Sequence, residues 1–143
     1  MSIITASNIE KSYLRRERKI DVLCGIDFSA DEGEVVVIYG VSGAGKSTLL
    51  HILGTLDLPT AGELQVCGMK PLESSGRELN DIRNRYFGFV FQFHYLLQEF
   101  SALENVMMPG MLSRDSEDGT GERAHQLLEE VGMSHRATHR PAE

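Results

Sequence analysis

Gly40-Val41-Ser42-Gly43-Ala44-Gly45-Lys46-Ser47-Thr48 matches the pattern G-x-x-x-x-G-K-[ST] at every fixed position. The run before it, Val35-Val36-Val37-Ile38-Tyr39, is apolar without alternation. That is the pattern of a strand buried on both faces, and it predicts a parallel sheet with helices on each side. After the loop, residues 46–56 carry Leu49, Leu50, Ile52 and Leu53 at helical spacing, and Pro59 and Gly62 close the segment. Each part of the loop has a chemical reason. Glycines let the backbone curl until several N–H groups share one concavity, where they bind phosphate oxygens. The helix that follows aims its positive end at the same anion. Lys46 brings a full charge to the outer phosphates, the Ser47 hydroxyl is placed to ligate Mg²⁺, and Thr48 reaches a phosphate oxygen. A strand, a phosphate loop and a helix in this order predict nucleotide binding on an α/β core.

Upstream, residues 2–9 are β-branched and read as a strand, and residues 20–30 alternate apolar with polar side chains. Arg15-Arg16-Glu17-Arg18-Lys19 between them reads as a solvated hairpin tip, with a phosphate-seeking patch as the alternative. Asp31-Glu32-Gly33-Glu34 is a turn into the apolar run. Downstream, residues 63–67 read as a strand, residues 77–86 as a helix with Leu79, Ile82 and Tyr86 on one face, and residues 87–91 as a second continuous apolar strand. Ser101 and Glu104 form a capping-box pattern that starts a helix. Residues 113–121 are polar and glycine-containing. A last helix follows, with Ala124, Leu127, Leu128 and Val131 on one face and Gly132 as its stop.

The totals narrow the function further. The chain has 143 residues, about one domain's worth, with 41% hydrophobic and 24% charged residues, as in ordinary soluble proteins. A formal net charge of −7 repels polyanions and argues against a nucleic-acid partner. Cys24 and Cys67 stand apart without C-x-x-C spacing and read as reduced thiols. No basic-then-apolar leader is present, and no apolar run approaches the ~20 residues that span a bilayer. A cytoplasmic protein is expected, held at a membrane only through a partner.

The loop and two further segments resemble one family of phosphate-loop proteins, the ABC ATPases. The loop itself has Ser42-Gly43 at its centre, Leu56-Asp57-Leu58-Pro59-Thr60-Ala61-Gly62-Glu63 is similar to the segment after that family's first helix, and Phe89-Val90-Phe91-Gln92 resembles its Q-loop. The resemblance implies that Gln92 touches Mg²⁺ or the attacking water; taken alone it reads as a polar residue leaving a strand, and its distance behind the phosphate loop favours the Q-loop reading. Tyr13, in Lys11-Ser12-Tyr13, matches the A-loop aromatic that stacks on adenine, and a core tyrosine of the first sheet is the alternative. If stacking alone holds the base, Tyr13→Phe is nearly neutral and Tyr13→Ala is not. No Asn-Lys-x-Asp or Thr-Lys-x-Asp motif supports a GTPase.

Within the family, Gly54-Thr55-Leu56-Asp57-x-Pro59-Thr60, Gln92-Phe93-His94-Tyr95-Leu96-Leu97 and Phe100-Ser101-Ala102-Leu103-Glu104-Asn105-Val106-Met107-Met108-Pro109 look like ATPase subunits of MacB-type and lipoprotein-releasing (LolD-type) exporters. The resemblance implies an ABC ATPase core with a parallel sheet flanked by helices, an N-terminal antiparallel β subdomain, and part of a helical subdomain. Residues 1–92 would form the β subdomain and phosphate-loop core, and residues 93–143 the partial helical subdomain. It also implies ATP and Mg²⁺, a second copy of the ATPase subunit, and a membrane permease at the inner membrane. Phe93, Tyr95, Phe100, Met107 and Met108 would face that permease or fill the helical core. His139-Arg140-Pro141-Ala142-Glu143 resembles the segment just before the Leu-Ser-Gly-Gly signature. The domain is therefore expected to be incomplete, with the signature, Walker B aspartate, catalytic glutamate and switch histidine outside these residues. A soluble ABC ATPase without transport, and a module that holds nucleotide without turnover, are the competing readings.

Overall fold

The computed structural model describes residues 2–113 and 119–143, so most of the polar stretch 113–121 lies outside the described residues. Two compact units form, Met1–Arg83 and Asn84–Glu143.

The first unit is built on a three-stranded antiparallel sheet. Strand β1 (Ser2–Arg15) lies between β2 (Arg18–Asp31) and β3 (Ala61–Val66). The basic tip is a tight hairpin: Arg15 pairs with Arg18, and the two residues between, Arg16 and Glu17, both take positive φ (45° and 67°). That is the backbone of a two-residue primed turn, whose twist matches the strands it joins. The hairpin is longer than residue patterning alone indicates, because Lys11 to Arg15 continue the ladder past the alternating core. β3 approaches β1 so closely that a Cβ on Gly62 (φ 103°) would lie 2.4 Å from the Asn8 carbonyl oxygen. Only glycine fits there.

Helix α1 (Lys46–Leu53) lays Leu49, Ile52 and Leu53 into a core with Ala6, Ile9, Leu23, Leu64, Val66 and Ile82. Burial of each large aliphatic contributes roughly 1.5–3 kcal/mol. Helix α2 (Gly76–Tyr86) opens on a reciprocal cap between Ser75 and Glu78. It sends Arg83 to the carbonyl and hydroxyl of Thr55, at 2.9 and 3.2 Å from Nε. Thr55 is buried with φ 61°, so this guanidinium satisfies a strained turn that leaves α1.

Two expectations fail within the described residues. Neither 35–39 nor 87–91 is a strand, and no parallel ladder forms. Val35, Val37 and Tyr39 are 89%, 75% and 91% exposed rather than buried on both faces. The physical reason is that a strand exists only with a neighbour to accept and donate its backbone hydrogen bonds. No described segment pairs with either run. The second run keeps an extended habit nonetheless, with Phe87, Phe89 and Phe91 stacked at successive ring separations of 6.0 and 5.5 Å.

The second unit packs α3 (Ala102–Met111) against α4 (Thr120–Glu130). The capping box is present as read: the Glu104 N–H donates to Ser101 Oγ, and the Ser101 N–H donates to Glu104 Oε2 at 2.8 Å. That backbone hydrogen bond, with the Ser101 hydroxyl, holds the Glu104 carboxyl below its usual pKa. The N–H groups of Ala102 and Leu103 donate to the carbonyls of His139 and Ala137, so the end of the unit completes the cap. Asn105 ties the turn before α3, donating to the carbonyls of Leu97, Phe100 and Ser101 and accepting from the Leu97 N–H. At the helix crossing a Cβ on Gly110 would come within 2.7 Å of Thr120. α4 ends at Gly132 (φ 72°), where Met133 N–H reaches Leu128 O and Gly132 N–H reaches Glu129 O, a Schellman cap. Ala124 and Leu128 are buried, while Val131, expected on the same face, is exposed beside that cap.

Candidate nucleotide-binding site

Glycine backbone shapes the loop. Gly43 and Gly45 adopt φ 81° and 89°, the left-handed region. Gly45 is also sterically confined: a Cβ there would stand 2.9 Å from Leu23 Cδ2 and 3.1 Å from the Val22 carbonyl of β2. The hairpin thus fixes where α1 starts. Gly45 is the N-cap without a side-chain cap, and the first helical hydrogen bond is Leu49 N–H to Gly45 O at 2.8 Å. The N–H groups of Lys46, Ser47 and Thr48, ahead of that first bond, are the helix-start donors that an α-helix leaves without an intrahelical acceptor.

Lys46 lies across this concavity. Its ammonium donates to the carbonyls of Gly40 (2.9 Å) and Val41 (2.7 Å). A cation is thereby held over the N-terminus of α1, where an anion would complete the arrangement. Val41, Ser42, Gly43, Ala44 and Ser47 are exposed around it. Ser47, on the first turn, offers the hard hydroxyl oxygen that Mg²⁺ prefers.

Tyr13 lies in the same unit, on the β1 stretch leading to the hairpin tip. Its ring is 42% exposed, which overturns the core-tyrosine alternative. Its hydroxyl donates to Asp57 Oδ2 at 2.7 Å, and the Thr48 hydroxyl also acts on it. The hydrogen bond to Asp57, then burial, raises the phenol above its ordinary pKa. Burial pushes the Asp57 carboxyl up, but hydrogen bonds from Lys11, Tyr13 and the Leu58 N–H outweigh it and hold the group below its usual value. Lys11 donates to Asp57 Oδ1 at 2.7 Å and stands 4.8 Å from the Tyr13 ring centroid. Thr60 anchors the same segment to β1: its Oγ1 accepts from Ser12 N–H at 3.0 Å, and its N–H donates to Glu10 O.

The structure therefore brings Tyr13 and the loop from Gly40 to Thr48 into one unit. Gln92 belongs to the second unit, exposed just after the stacked phenylalanines. Sequence reading gave no role to Lys11, Asp57 or Thr60; Asp57 and Thr60 lie in the Leu-Asp-x-Pro-Thr segment and Lys11 in Lys11-Ser12-Tyr13. No group of three or more His, Cys, Asp or Glu able to hold a metal occurs among the described residues.

The ABC transporter family matches residues 23–143. The lipoprotein-releasing system ATP-binding protein LolD of Xanthomonas campestris pv. campestris (strain 8004) is 49% identical over 142 residues, 99% of this chain and 59% of the relative. LolD of Myxococcus xanthus (strain DK1622) is 45% identical over 143 residues, 100% of this chain and 64% of the relative. Among solved structures, the ATP-binding cassette MJ0796 in a dimeric post-hydrolysis state bound to ADP and Pi superposes with a TM-score of 0.88. It is 36% identical and covers 97% of this chain and 62% of that one. The chain thus spans about three-fifths of the length of these relatives. The glycine-shaped loop that leads into α1, the exposed Tyr13 in the same unit, and a family match over residues 23–143 agree: the chain belongs to the ABC transporter family.

Proposed function

We propose that this chain binds Mg-ATP through residues Gly40 to Thr48 and Tyr13, as part of the ATPase subunit of an ABC transporter that releases lipoproteins from the inner membrane. The observation that carries the transport class is 45–49% identity to lipoprotein-releasing ATP-binding proteins along the whole chain. ATP would lay its phosphates on the loop and its base on Tyr13. Ser47 and Gln92 would hold Mg²⁺, which supplies charge neutralisation at the outer phosphates. A second copy of the subunit and a membrane permease are the proposed partners, and no nucleic acid is. No described helix is long and apolar enough to cross a membrane, so attachment would run through the permease, on its cytoplasmic side.

The segment 92–109 is the proposed permease contact. Phe93 and Tyr95 are 62% and 70% exposed, and they continue the aromatic run. Met107 is less available, since its methyl group lies 3.8 Å from where a Gly121 Cβ would stand, against α4. Cysteine at position 93 or 95 is expected to cross-link to a co-expressed membrane subunit, and cysteine at 107 much less. Cross-linking at none of these positions in an associated complex would remove the segment from the interface.

A further inference from the structure

Building on the nucleotide reading, we propose that Asp57 and Lys11 are positioning residues for the base, locking the Tyr13 ring so that one face only is offered for stacking. The carboxylate is divided between the two tasks. Oδ2 accepts the Tyr13 hydroxyl at 2.7 Å, while Oδ1 accepts Lys11 Nζ at 2.7 Å and the Leu58 N–H at 2.8 Å. Lys11 on β1 and the Leu58 N–H of Asp57's own turn hold the carboxylate independently of the ring it anchors. Lys11 is held too: its side chain is 11% exposed, and it donates to the Leu58 carbonyl as well. Its ammonium stands 4.8 Å from the Tyr13 centroid, within cation–π range, and occupies that face of the ring. The base is left the opposite face.

An unanchored tyrosine on an exposed strand samples several rotamers, and a base that stacks on it must order the ring first. Anchoring the hydroxyl removes that cost in advance. The hydroxyl then matters even though stacking uses only the ring. Tyr13→Phe is therefore a loss rather than a neutral change, which reverses the expectation from stacking alone.

The test uses the full chain and two probes, ATP and inorganic tripolyphosphate, which reaches the phosphate loop but has no base. Tyr13→Phe, Asp57→Ala and the double variant are titrated with each by calorimetry. Each single variant is expected to weaken ATP about two- to tenfold, the scale of one net hydrogen bond, with tripolyphosphate unchanged. The double variant should be no weaker than the weaker single, because both singles break the same phenol–carboxylate hydrogen bond. Asp57→Asn, which keeps an acceptor, should recover part of the loss. An unchanged ratio of ATP to tripolyphosphate affinity in Tyr13→Phe overturns the proposal, and so does an equal loss of both probes. Tyr13→Ala separates the two layers: if it too leaves the ratio unchanged, the stacking reading itself fails.

Discussion

Replacing Lys46 with Ala is expected to weaken Mg-ATP binding by about 2–4 kcal/mol, a 30- to 1,000-fold rise in Kd, by comparison with truncated charge pairs. The ammonium is already aimed into the loop, held by the carbonyls of Gly40 and Val41. Binding exchanges those neutral acceptors for anionic phosphate oxygens, which adds a charge–charge attraction to the hydrogen bonds the ammonium already makes. The variant also releases two loop carbonyls to solvent, at little cost on an exposed surface. Calorimetry reads the difference, with thermal melts showing that both proteins remain folded. Equal affinity in the two would mean that the phosphates do not reach Lys46.

A polypeptide of these 143 residues is expected to hold ATP yet release phosphate ~10²–10⁴-fold more slowly than an intact ABC ATPase, the factor carried by a positioned general base. Phosphoryl transfer to water needs a residue to orient and deprotonate the nucleophile and a second carboxylate at the metal. The family resemblance assigns neither to any residue between Met1 and Glu143. Asp57, the carboxylate hydrogen-bonded to Tyr13, is already engaged with Lys11, Tyr13 and Leu58. A phosphate-release assay checks this beside the intact subunit from a relative. Turnover at a comparable rate would show that a catalytic carboxylate lies within these residues.

The parts legible in the sequence are those whose chemistry is local. The loop from Gly40 to Thr48 is fixed by what phosphate demands of consecutive residues, and Ser101 and Glu104 cap their helix across three positions. Gly132 stops α4 for the same reason. Runs 35–39 and 87–91 read as strands because their side chains are apolar, but strand formation depends on a partner that patterning does not supply. The clamp on Tyr13 was equally hidden. Asp57 lies 44 residues further along the chain, and only the fold of β1 against the turn after α1 brings carboxylate and phenol to 2.7 Å. Asn105 has the same character on a smaller scale, a polar helix residue whose role appears only when its four contacts are seen. Residue pattern gives the chemistry that must be continuous; geometry gives the residues that hold it in place.

Nucleotide seated on the N-terminus of α1 with its base against Tyr13 would perturb the loop and the ring together. Amide and tyrosine-ring NMR shifts followed through a Mg-ATP titration test it most directly. Saturable shifts are expected at Gly43, Gly45, Lys46, Ser47 and Thr48 together with the Tyr13 ring, with tripolyphosphate reproducing the loop shifts without those of the ring. Saturable binding that leaves the amides of Gly45 and Lys46 unmoved would contradict it.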